Sequence, residues 1–169
     1  MPYSSECVLV PRTSRLYIGR APKDVEEAKD ADAMFGVVID IRVLTGDCQE
    51  AVMDGIPYDA EGAALGAKLY PFPISDERPG SPKLTGQTNI VKSAIDKIYN
   101  SVMIGKNVLI HAGATDLSRP VFLAAVYLAT FTGCPLSQAM VVVSKPVGEI
   151  DVSEKLIGIG KSVLGEHRR

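Results

Sequence analysis

Twenty-five residues in the second half of the chain set the tightest limit on its fold. Residues 107–111, Asn-Val-Leu-Ile-His, form a compact apolar run that predicts a buried strand. An eight-residue loop, 112–119, follows it. Pro120 then opens a helix to about residue 131, at the first-turn position where its missing N–H costs nothing. The helix is apolar almost all round, which predicts a central position.

The other elements agree with an α/β domain built on a mainly parallel sheet flanked by helices. Two short β-prone runs, 8–10 and 16–18, separated by Pro11 and followed by Gly19, predict an opening hairpin. From Asp24 the spacing of Val25, Ala28, Ala31, Ala33 and Met34 predicts a short helix ending at Gly36. The β-branched run 37–41 reads as a strand buried on both faces. Residues 45–66 mix glycines and acidic residues with weak periodicity and predict an irregular excursion. In 68–74 an extended segment resumes, and Pro71 and Pro73 argue for a sheet edge. Ile90, Val91, Ala94, Ile95, Ile98, Val102 and Met103 mark one face of a helix that stops at Gly105. Two further helices are predicted, from Pro135 to about residue 143 and over 152–164, the last with Ile157 and Leu164 inward.

Composition narrows the function classes. With 169 residues the chain fits one domain, 1–169. Lys and Arg number 18 against 20 Asp and Glu, a net charge of −2, so nothing favours nucleic acid as a partner. No apolar stretch approaches the roughly 20 residues of a membrane span. The opening Met-Pro-Tyr-Ser-Ser-Glu lacks a basic start followed by an apolar run, so no secretory signal is expected. Three cysteines, Cys7, Cys48 and Cys134, stand at irregular spacings without a CxxC pair, which fits a soluble, intracellular protein with free thiols. No metal or cofactor is implied.

In an α/β domain the loop between a strand's carboxyl end and a helix is where anions bind, because unpaired N–H groups and the helix dipole point there. Here that loop reads His111-Ala112-Gly113-Ala114-Thr115-Asp116-Leu117-Ser118-Arg119 before Pro120. The segment resembles the dual-specificity phosphatases of the cysteine-phosphatase superfamily, which carry a His-Cys pair, five residues and an Arg between such a strand and helix. The likeness extends along the chain. Ser14 to Gly19 is similar to the family's Leu-Tyr-Leu-Gly opening, residues 35–41 to its Gly-Ile-Thr-Val-Ile strand, and residues 73–76 to its general-acid loop. Leu136 and Ala139, and Lys145-Pro146, resemble its Leu-x-x-Ala and Arg-Pro segments.

The resemblance implies a role for each position. The family's cysteine thiolate attacks phosphorus, its Arg and loop N–H groups hold the phosphoryl oxygens, and an Asp protonates the leaving oxygen. Those positions fall on Ala112, Arg119 and Asp76, with His111 behind the nucleophile. A methyl group forms no phosphoenzyme, so covalent catalysis is not expected at Ala112. Six residues separate Ala112 from Arg119 where the family has five, and one of them, Asp116, brings a negative charge into a cradle for a dianion. At 4 Å, two unit charges at an effective dielectric of 20 repel by about 4 kcal/mol. A degenerate member follows, a pseudophosphatase acting by binding, as a scaffold or a structural component of a larger assembly. Two alternatives stand beside it: an active phosphatase carried as a Cys-to-Ala trap, and a phospho-ligand binding module using Arg119.

Plainer roles are open for the same residues. Arg119 either binds an anion weakly or pairs with Asp116 or a nearby carbonyl. Without a thiol to tune, His111 is expected as a buried histidine with its hydrogen bonds satisfied. Asp76 sits in Asp-Glu-Arg, equally an exposed charged turn. Ser118 is expected to cap the central helix with its hydroxyl. The excursion at 45–66 and the turn at 75–86 are the expected contact surfaces for a protein partner.

Overall fold

The computed structural model describes residues 2–43, 69–78, 83–113 and 115–166. The excursion over 45–66, Cys48 and part of the 75–86 turn lie outside the described residues. Among the described residues five strands form one sheet: β1 (Val8–Leu9), β2 (Leu16–Gly19), β3 (Val37–Asp40), β4 (Leu69–Pro71) and β5 (Val108–His111). Their order is β1-β2-β5-β3-β4. β1 pairs antiparallel with β2, and the remaining pairings are parallel. Pro71 lies in an edge strand, which tolerates a residue without an N–H.

Among the described residues five helices flank the sheet: α1 (Val25–Met34), α2 (Gln87–Met103), α3 (Ser118–Thr132), α4 (Leu136–Ser144) and α5 (Glu154–Leu164). Strand side chains alternate between the two faces. Val37, Ile39, Val108 and Ile110 join Leu16 and Ile18 in a large core with residues of α2 to α5. Val38 and Leu109 point the other way, into a smaller cluster with Tyr3, Ala31 and Phe35 beneath α1. Both faces of the central strands are therefore covered, as their unbroken apolar runs require.

α3 runs through the middle of the larger core, buried from Arg119 to Ala129. Its amino end is fixed by β5, the central strand of the sheet. α5 packs Ile157 and Leu164 against the large core, as expected, though both are only partly buried. Its innermost residues are Leu156, Ile159 and Gly160. A carbon at the Cβ position of Gly160 would lie 2.7 Å from Leu136 and 2.9 Å from Phe122. Helix contact there needs glycine, and an apolar count cannot register it.

Candidate functional site

β5 delivers His111 and Ala112 to the carboxyl end of the sheet, beside the ends of β2 and β3. Gly19 and Asp40 are the residues opposite His111 on either side. Ala112 is fully buried, its methyl part of the large core. His111 faces the opposite side, toward α1.

The loop after Ala112 folds around Asp116. One carboxylate oxygen accepts from the Ser118 backbone N–H at 2.8 Å and from the Ser118 hydroxyl at 2.6 Å. The other accepts from Arg119 Nε at 2.6 Å. Ser118 is the first residue of α3, and it does not cap the helix as expected. Its hydroxyl donates to Asp116, and the Asp116 carboxylate satisfies the first helical N–H instead. The physical reason is acceptor strength: an ionised carboxylate outcompetes a hydroxyl for a helix amide. Burial raises the Asp116 pKa, but Arg119 and the bonds from Ser118 outweigh it and hold the carboxyl below its usual range.

Arg119 does make the ion pair open to it from the sequence, and more. Its side chain is only 8% exposed, and Nη1 donates to the Ile74 carbonyl at 2.8 Å. One guanidinium thus ties the turn at Asp116 to the 72–78 segment.

That segment carries Asp76. The carboxylate accepts from the Arg78 N–H at 3.2 Å and lies 3.8 Å from Arg78 Nε, so it serves its own turn. The turn is half-buried rather than exposed, because neighbours from two helices grip it. The Ser75 N–H donates to Gln87 of α2 at 2.7 Å, and Ser153, which caps α5, donates its hydroxyl to the Asp76 carbonyl at 3.1 Å. Glu77 takes a left-handed conformation at φ 52°, strained for a residue with a Cβ, and is held by Ser75, Gln87 and Lys155.

Behind the loop lies a buried cluster to which the residue pattern alone assigned no function. Asp40 and Arg42 are both fully buried, and the guanidinium grips the carboxylate in two-pronged fashion at 3.1 and 3.0 Å. His111 Nδ1 lies 3.7 Å from Asp40 and 3.3 Å from the Ala112 carbonyl. The expected satisfaction of His111 is incomplete: its Nε2 has no partner among the described residues. Burial drives the imidazole pKa down, Asp40 opposes this and Arg42 reinforces it. The available signal was an acid in an otherwise apolar strand with an arginine two residues on, a spacing that puts both on one face.

Neither described cysteine, Cys7 or Cys134, lies at the loop. Cys7 packs against Gly19, and burial pushes its thiol up to about 11, which leaves little thiolate near neutral pH. Cys134 lies beyond the carboxyl end of α3, its sulfur accepting from Thr132. Among the described residues no group of His, Cys, Asp and Glu is arranged to hold a metal, and no helix is long and apolar enough to cross a membrane.

No protein-family model matches the sequence, and no curated protein does. Solved structures do match over nearly the whole chain. Tk-PTP in its active form aligns with a TM-score of 0.71 at 19% identity, covering 96% of this chain and 98% of that one. PTPMT1 in complex with PI(5)P aligns at 0.68 and 15%, covering 90% and 91%. Human DUSP28 aligns at 0.61 and 17%, covering 95% and 93%. At such identities the likeness is one of architecture. The chain thus has the dual-specificity-phosphatase-like fold that the residues around its β5–α3 loop resemble.

Proposed function

We propose that this protein keeps the phosphatase fold without its chemistry and works by binding, as a scaffold or structural component of a larger assembly. The observation that carries the reading is Ala112. Phosphoryl transfer of this type needs a thiolate at the end of β5 to form a bond to phosphorus, and a buried methyl group offers none. Two further features support it. The donors that would hold a phosphoryl group, Ser118 and Arg119, already bond to Asp116. Asp76, the candidate acid, is engaged with Arg78.

The test is the Ala112→Cys variant assayed with an aryl phosphate across mildly acidic to neutral pH, its fold confirmed by circular dichroism. No turnover above the parent protein is expected. Phosphatase activity restored by that one change would sink the reading and favour an active enzyme carried as a trap.

A further inference from the structure

We propose that Asp116 is a built-in counter-anion: its carboxylate fills an oxyanion site made by the Ser118 N–H, the Ser118 hydroxyl and Arg119 Nε, holding the loop closed without external phosphate or sulfate. The proposal rests on the reading above that no substrate turns over here, and it assigns the site its occupant.

Burial makes an anion necessary. The Arg119 side chain is almost wholly removed from water, and a buried guanidinium without a negative partner is strongly destabilising. Three donors converge on one carboxylate at 2.8, 2.6 and 2.6 Å, distances typical of charge-assisted bonds. A tetrahedral oxyanion asks for the same kind of donors at a helix amino end.

The arrangement is more than a local turn, because the same guanidinium reaches the Ile74 carbonyl, 45 residues away. The loop and the 72–78 segment are therefore joined through a cation whose charge is balanced within the chain. In a site that relies on an external anion, this junction would loosen whenever the anion left.

The added loop residue and the added acid become one feature on this view. A six-residue spacing between Ala112 and Arg119 gives the chain room to turn a carboxylate back onto its own helix amino end. Two apparent defects of a phosphate cradle together make a cradle that carries its own anion. It takes phosphate or sulfate only when the carboxylate is removed.

The experiment compares the full-length protein with its Asp116→Ala and Asp116→Asn variants. Thermal unfolding is followed in sodium phosphate, sodium sulfate and sodium chloride at matched ionic strength, and phosphate binding is measured by calorimetry. The parent protein is expected to gain from phosphate or sulfate only the general salting-out increment that these anions give any folded chain. Asp116→Ala is expected to melt lower in chloride, to recover several degrees in phosphate or sulfate, and to bind phosphate at least roughly tenfold more tightly than the parent. Adding Arg119→Lys should abolish that recovery. Should Asp116→Ala fail to fold, Asp116→Asn decides, since it keeps the shape and removes the charge. The proposal is overturned if the folded neutral variant binds phosphate no better than the parent, or if the parent gains as much stability from phosphate as the neutral variant does. Either result leaves the Ala112→Cys assay untouched, so the two readings fail separately.

Discussion

Two glycines of α5, Gly158 and Gly160, allow backbone propensity and packing to be separated within one helix. Replacing a glycine inside a helix with alanine gains about 1 kcal/mol from propensity, and this gain applies equally at both positions. At Gly158 nothing lies within 4 Å of the new methyl, so Gly158→Ala should stabilise by about that amount. At Gly160 the methyl would meet Leu136 at 2.7 Å, Phe122 at 2.9 Å and Val126 at 3.2 Å. Carbon pairs prefer about 3.5–4.0 Å, and overpacking a closed core costs about 1–3 kcal/mol. Leu136 and Phe122 are fully buried, so neither can swing into solvent. The propensity gain cancels between the variants, leaving a difference of about 1–3 kcal/mol in favour of Gly158→Ala. With a urea dependence near 2 kcal/mol per molar, the midpoints should separate by about 0.5–1.5 M. Urea unfolding followed by far-ultraviolet circular dichroism measures this directly. Equal stabilisation by both substitutions would refute the claim that close contact of α3, α4 and α5 demands glycine at 160.

Other expectations follow from the buried polar groups. Asp40→Asn takes the charge from the carboxylate gripped by fully buried Arg42, and should cost about 3–5 kcal/mol in urea unfolding. A loss under about 1 kcal/mol would show that Asp40 is not the main counter-charge of Arg42. His111 should give stability a dependence on mildly acidic pH. Its folded pKa is depressed, chiefly by burial, so below the ordinary imidazole value of about 6.5 the unfolded chain takes up a proton that the native state resists. Stability should be full above that value and fall as pH drops toward the folded pKa, and His111→Gln should flatten this part of the profile. Asp116 acts further down: its depressed carboxyl keeps contributing until pH falls below the ordinary carboxylate range, so Asp116→Asn should leave the profile above that range unchanged in shape.

How much of this was legible in the sequence depended on whether the deciding interaction was local. The β5–α3 segment was readable because the apolar run Val108-Leu109-Ile110, a loop and an apolar helix opened by Pro120 each follow from short-range chemistry. Pro71 marked an edge for the same reason, since a residue without an N–H disqualifies itself from a central strand. The amino end of α3 was misread because Asp116 and Ser118 are both good local acceptors, and only the folded loop shows which one meets the amide. The approach of His111 to Asp40 escaped because β3 and β5 are brought together from residues 40 and 111, a pairing that no spacing rule encodes, whereas the Asp40–Arg42 pair is local and its two-residue spacing was there to be read. Gln87 was invisible in the same way: its hold on Ser75 needs α2 and the 72–78 segment already in place.

The strand order has a further consequence during synthesis. β5 is the last strand to be made, yet it lies between β2 and β3. Leu16 waits for Val108, and Val37 waits for the same residue, before either strand gains its inner neighbour. At about 5–20 residues per second, the nascent chain carries open strand edges for roughly 5–20 s as it leaves the ribosome. Unpaired edges are templates for association with other chains, so the interval before residue 111 emerges is when this protein most needs the protection of a chaperone.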